Sequence, residues 1–163
     1  MLRRGDKEHR DLFIREINPD AETLGRLDAY DTLLTQWQAR VNLVGRGTLQ
    51  ARWSRHFLDS AQIYNHLPRW TQTLTDIGSG GGFPGLVLAI LINKRGGPEV
   101  TLVESNGRKA EFLREINRIC AAGAKIMNER VERAPILPAD VVTARACAPL
   151  VRLLPWVYRC LRA

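Results

Sequence analysis

The sequence predicts an α/β fold: a mainly parallel sheet of Rossmann type preceded by a helical extension. Three observations carry this expectation. Apolar residues recur at helical spacing up to about position 70, then change to short runs of two-residue period. Beyond that point, strand-like and helix-like segments alternate at the spacing of right-handed crossovers. The first strand-to-helix junction holds five glycines in the eight positions 78–85. At 163 residues the chain has the length of one ordinary domain. The expected division is a helical extension over 1–70 and a Rossmann-like core over 71–163.

In the extension, Asn18-Pro19-Asp20 reads as a helix start, and Leu24, Leu27, Tyr30, Leu34, Trp37 and Val41 then lie along one face. This predicts a helix over 21–41. Thr48 is placed to cap a second helix with Trp53, Phe57, Ala61, Tyr64 and Leu67 as its apolar stripe, ended by Pro68, with Arg52 and Arg55 pointing away from that stripe. In the core, strands are expected at 74–77, 100–103, 125–127 and 141–143, and helices at 84–92, 107–121 and 150–161. There is no internal repeat or low-complexity tract.

The formal charge of +7 favours an anionic partner. The clearest basic stretch is Arg40, Arg46, Arg52, Arg55 and Arg69, opposed only by Asp59 between positions 40 and 69. No apolar run approaches the roughly 20 residues that span a membrane, and the charged N-terminus lacks the apolar segment of a signal peptide, so the chain reads as cytosolic. Cys120, Cys147 and Cys160 form no Cys-x-x-Cys pair and have no His at metal-ligand spacing; they read as reduced packing residues, with no metal expected.

The sharpest feature is Asp76-Ile-Gly78-Ser-Gly80-Gly-Gly82-Phe-Pro-Gly85. Glycines at alternate positions let the backbone turn tightly and approach a ligand with no Cβ in the way, beside a helix N-terminus. Gly80, Gly82 and Gly85 also satisfy the dinucleotide spacing G-x-G-x-x-G, which leaves a nicotinamide-dependent oxidoreductase as an alternative. Asp76 at the strand end suits a cofactor bearing an ammonium and a sulfonium better than a pyrophosphate. Glu104 ends the second strand 26 positions after Gly78, where Rossmann-type sites place the carboxylate that accepts the ribose hydroxyls. Arg145 follows the fourth strand at the mouth of the sheet, placed to hold a phosphate, a nucleobase or a cofactor carboxylate. The alternating charges of 106–118 read as a solvated helix face, and His56 with Asp59 as a helix-anchoring pair. Thr143-Ala-Arg145-Ala lacks the Asn/Asp-Pro-Pro-aromatic motif of exocyclic amino methylation. Cys147 lacks the Pro-Cys context of a pyrimidine-carbon nucleophile.

Together, Asn42-Leu43, Arg55-His56-Phe57-Leu58-Asp59-Ser60, the glycine segment ending in Phe83-Pro84-Gly85, Glu104-Ser-Asn-Gly-Arg-Lys109 and Arg145-Ala146 resemble one family. It is the bacterial small-subunit ribosomal RNA guanine-N7 methyltransferases, also called glucose-inhibited division protein B. The resemblance runs from about Leu34 to Pro149. It implies a class I S-adenosylmethionine-dependent methyltransferase sheet, 16S rRNA or the small ribosomal subunit as partner, and cofactor contacts at Gly78, Phe83, Val131, Glu132 and Arg145. With the residue-level reading, the expected cofactor set is Asp76, Gly78, Gly80, Gly82, Phe83, Glu104, Val131, Glu132 and Arg145. Arg145 is also expected to position the reactants, and Arg40, Arg46, Arg52 and Arg55 to dock RNA. Glu104 stands where the family usually has Asp, one methylene shorter. The family's further strands would lie past Ala163, which leaves the fourth strand an uncovered edge in an otherwise monomeric chain, and a non-catalytic RNA-binding remnant as a second alternative.

Overall fold

The computed structural model describes residues 4–93, 96–135 and 138–162. Helices α1 (Arg4–Ile17) and α2 (Ala21–Gln38) come first, and a broken helical stretch follows. Then come β1 (Thr73–Ile77), α4 (Gly85–Ile92), β2 (Glu99–Val103), α5 (Gly107–Ile119), β3 (Lys125–Met127), β4 (Val141–Ala144) and α6 (Leu150–Cys160), where α3 denotes the short turn Asp59–Gln62 within the broken stretch. The four strands pair in parallel in the order β3-β2-β1-β4. The core strands and helices thus stand within two residues of their expected limits. The sheet is Rossmann-like: β2 and β3 are added on one side of β1, and the chain then returns to add β4 on the other.

Alternation along the strands decides what covers each face. Leu74, Val100 and Leu102 join the larger core with Leu86, Leu88, Ile90, Phe112, Leu113 and Ile116 from α4 and α5. The extension supplies Phe13, Leu27, Tyr30, Leu34, Trp53 and Phe57 to this same core, so the helices before β1 and the sheet are packed as one body. Ile77 and Val103 point to the other face, where Val131, Ala134 and Cys160 meet Trp156 and Val157 of α6. The outer side of α6 exposes Leu150, Val151, Leu154 and Tyr158, and β4 is an edge strand among the described residues.

Helix α2 starts where the sequence places it, because the Asp20 carboxylate accepts the Thr23 N–H at 2.7 Å. It stops at Gln38, short of Val41. There the Gln38 amide leaves the helix surface and accepts from the Leu43 and Val44 N–H groups at 2.9 and 3.0 Å while donating to the Val44 carbonyl at 2.8 Å. That one side chain shapes residues 43–44.

The single helix expected from Thr48 is instead broken into a 3-10 turn (Arg46–Ala51), a π-helical turn (Trp53–Leu58), α3 and a second 3-10 turn (Ile63–His66). Thr48 is no N-cap: it sits inside the first turn and its hydroxyl donates to the Gly45 carbonyl at 2.8 Å. The irregularity accompanies a buried charge. Arg52 is turned inward against Asp31 and lies 3.1 Å from Asp6, and the Trp53 indole N–H donates to the same Asp31 at 3.1 Å. A strict α-helix gives residues 52 and 53 directions 100° apart, and π geometry brings such neighbours closer in direction. Helix α1 escapes the sequence reading as a separate element. Its anchor is Phe13, fully buried edge-on against Trp53 with ring centres 5.2 Å apart.

Candidate cofactor and substrate site

The carboxyl ends of β1, β2 and β4 open onto a cavity of about 360 Å3 lined by Gly78, Gly80, Phe83, Glu104 and Arg145, with Leu43–Gly45 and His56 as the wall contributed by the extension. Gly78, Ser105 and Cys147 also border a second cavity of about 200 Å3 lined by Val131, Glu132 and Trp156. The two are adjoining lobes of one cleft, within the usual size range of small-molecule sites. A larger cavity, about 460 Å3, lies behind the α1–α2 turn at Asn18 and Asp20, away from the strand ends.

The turn after β1 is fixed by bonds to its neighbours. The Gly78 and Ser79 N–H groups donate to the Val103 carbonyl at 2.8 and 3.2 Å, and Gly78 and Gly80 hold positive φ angles of 68° and 54°. A Cβ on Gly78 would overlap the Cys147 side chain, so this glycine also lets the β4 loop close over the turn. Glu104 is buried, and its two carboxylate oxygens each take one N–H, from Gly80 at 2.8 Å and from Asn106 at 2.7 Å. Each oxygen keeps acceptor capacity. The longer side chain relative to Asp thereby bridges the glycine turn and the start of α5.

Arg145 lies with its guanidinium 5.1 Å from the centre of the Phe83 ring, and its Nη1 donates to the Asp59 carboxylate at 3.2 Å and to the Arg55 carbonyl at 3.3 Å. Asp59 is therefore taken by Arg145, and the expected His56–Asp59 pair does not form. His56 bonds through Nε2 to the Thr48 hydroxyl at 2.8 Å instead. That hydroxyl gives its proton to Gly45, so Nε2 is the donor and the ring is the Nε2–H tautomer. Burial, and next to it the Arg145 charge, push the His56 imidazolium down to about 4, so the ring is neutral at physiological pH.

Three expected site residues sit elsewhere. Asp76 is fully buried: Oδ1 accepts the Thr143 hydroxyl at 2.8 Å, Oδ2 has no hydrogen-bond partner among the described residues, and neither cavity wall includes it. Burial raises its carboxyl to about 6, against the lowering effect of the Thr143 bond. It is a strut between β1 and β4. Gly82 (φ 89°) does not face the cavity either, because the space where its Cβ would stand is filled by the Tyr30 hydroxyl. Arg52 is buried in its ion pairs with Asp31 and Asp6 and is withdrawn from any RNA surface, whereas Arg40, Arg46 and Arg55 are exposed. The sequence reading missed Lys109, taken as part of a solvated face, Cys147, taken as a packing residue, and Trp156, given no role beyond its place in the helix expected at 150–161; all three line the cleft. Among the described residues no cluster of His, Cys, Asp and Glu is arranged to hold a metal ion, and no helix is long and apolar enough to cross a membrane.

A parallel sheet with this order, helices on both faces and a cleft at its carboxyl edge is the architecture of class I methyltransferases. A solved structure of this class, a putative O-methyltransferase from Klebsiella pneumoniae, superposes with a TM-score of 0.58 over 94% of this chain and 66% of its own, at 15% identity. Within the class, residues 23–163 match the family described as rRNA small subunit methyltransferase G, and the chain belongs to that family. It is 55% identical over 141 residues to the ribosomal RNA small subunit methyltransferase G of Rhodospirillum centenum, and 53% identical over 142 residues to that of Rhodospirillum rubrum. These alignments take in 86% and 87% of this chain but 63% and 69% of the two relatives.

Proposed function

We propose that this chain binds S-adenosylmethionine in the two-lobed cleft and serves to methylate guanine N7 in 16S rRNA. The observation that carries the reading is the Glu104–Gly80 arrangement. A buried carboxylate with unused acceptor capacity, beside a positive-φ glycine turn at the end of β1, fits the two hydroxyls of a ribose. The lobe past Gly78, with Val131, Glu132 and Trp156, offers the mixed apolar and polar wall that a base requires. The Gly80 N–H, a backbone donor that a pyrophosphate in this turn would use, is taken by Glu104, which disfavours a dinucleotide.

The bound cofactor supplies an electrophilic methyl group on a sulfonium. Guanine N7 has an in-plane lone pair and no proton, so the chain needs no general base. The work left to the protein is alignment and electrostatics. The Arg145 guanidinium lies over the Phe83 ring, 5.1 Å from its centre, beside the turn, and one bond to Asp59 at 3.2 Å orients it. Arg145 thereby presents a remaining N–H donor to O6 of guanine, which leaves the N7 lone pair free for the methyl group and which an adenine amino group would not match. Arg40, Arg46 and Arg55 give the extension its phosphate-binding surface, since phosphate contacts dominate affinity for RNA. The test is transfer of labelled methyl to small-subunit RNA, followed by chain scission at N7-methylguanine. Label at a single guanine, lost in Arg145→Ala, is the expected result. Label on adenine or pyrimidine, or none with a cofactor-saturated chain, would overturn the reading.

A further inference from the structure

The sequence pattern suggests that Gly82 makes room for a ligand, yet the nearest neighbours of both Gly81 and Gly82 belong to the extension. A Cβ on Gly81 would come within 3.1 Å of the Leu43 carbonyl oxygen, and one on Gly82 would run into the Tyr30 hydroxyl. Tyr30 stands in the middle of α2 and is fully buried. Its hydroxyl donates to the Gly81 carbonyl, and its ring stacks on Phe83 with centres 5.3 Å apart and planes 11° from parallel. Phe57 and Phe112 hold the same ring from two further sides at 5.1 and 6.3 Å. Burial raises the phenol well above its usual range, so the hydroxyl stays a donor at every working pH.

We infer that Tyr30 is a positioning residue for the cofactor turn, and that the helical extension is therefore a structural half of the cofactor site as well as a surface for RNA. The inference rests on the proposed cofactor reading. By binding the Gly81 carbonyl, Tyr30 fixes the orientation of the Gly81–Gly82 peptide, two peptide units beyond the Ser79–Gly80 peptide whose N–H is held by Glu104. Without that bond the positive-φ glycines have many conformations open to them, and the turn loses the single shape the ribose and sulfonium require. Leu43–Gly45, clamped by Gln38, close the same turn from outside. The extension thus grips the glycine segment at two places, one below and one at the rim.

The variant Tyr30→Phe keeps the ring and its stacking and deletes only the donor. In the 163-residue chain it is expected to weaken S-adenosylhomocysteine binding about tenfold by calorimetry, a size typical of one hydrogen bond lost in a buried site. Affinity for small-subunit RNA should stay within twofold. Amide exchange at 78–83 in the ligand-free chain should speed up at least tenfold, while exchange in β2 is unchanged. Phe13→Leu, which trims α1 and is separated from Tyr30 by the rings of Trp53 and Phe57, serves as the control of similar stability loss and should leave both readings as in the parent. Should Tyr30→Phe unfold, the same measurements are made in trimethylamine N-oxide, which restores compactness without replacing the bond. Equal exchange and equal affinity in parent and variant would overturn the inference. A parent chain that binds no S-adenosylhomocysteine would instead overturn the cofactor reading, with the exchange comparison still deciding what Tyr30 does to the turn.

Discussion

Replacing Asp76 by Asn tests whether the residue at the end of β1 is a strut or a binding carboxylate. In the fold its carboxyl stands at about 6, raised by complete burial, against an ordinary value of 3.8. Between those two pH values the folded chain holds a proton that the unfolded chain has released. Stability from this group is therefore complete below about pH 4 and falls as pH rises through about 6. At 1.36 kcal/mol per pH unit the loss amounts to about 3 kcal/mol. Asn cannot ionise, and its carbonyl keeps the acceptor that the Thr143 hydroxyl uses. Whatever fixed cost the new NH2 adds, the stability of Asp76→Asn relative to the parent should improve by about 3 kcal/mol between pH 4 and pH 8. Urea unfolding followed by tryptophan fluorescence at half-unit pH intervals measures this. Parallel curves for parent and variant would refute the reasoning, because they would mean that Asp76 titrates in the fold as it does in the open chain.

Arg52→Ala should cost about 3 kcal/mol or more in the same assay, because it leaves Asp31 and Asp6 buried without their cation. Arg40→Gln, Arg46→Gln and Arg55→Gln together should leave stability within about 0.5 kcal/mol and lower the slope of log affinity against log salt for small-subunit RNA by about 2 to 3. An unchanged slope would place RNA elsewhere. Glu104→Gln is expected to weaken S-adenosylhomocysteine at least tenfold, since it weakens the hold on the Gly80 N–H and the acceptor offered to ribose together. Below pH 6.5 the chain must keep His56 neutral against a rising tendency to protonate, so its stability falls from there down through about pH 4. His56→Gln should flatten that acid limb while retaining a partner for Thr48.

The sheet was legible because its signals are local. Period-two apolar runs and the glycine segment define β1 to β4 almost residue by residue, and Asp20 caps α2 as its position predicts. The broken stretch after α2 was not legible, since its shape follows from Arg52 reaching Asp31 and Asp6, 21 and 46 positions away, against the local pattern of an amphipathic helix. A similar limit applies to the site. Glu104 and Gly78 stand out by their spacing from a strand. Lys109 and Trp156 lie on helices whose sequence patterns a solvated face or a packing stripe explains equally well, and only the folded chain turns them to the cleft. The meaning of Gly82 was misjudged because a glycine shows that something comes close without showing what; here it is Tyr30, from a helix 52 positions earlier.

Whether the two-lobed cleft holds S-adenosylmethionine is decided by calorimetric titration of the 163-residue chain with S-adenosylhomocysteine, beside reduced nicotinamide adenine dinucleotide as a comparison ligand. One site for S-adenosylhomocysteine is expected, lost in Gly78→Ala as the new methyl displaces Cys147, with no uptake of the dinucleotide. A folded chain that ignores S-adenosylhomocysteine, or that takes the dinucleotide as readily, would contradict this expectation.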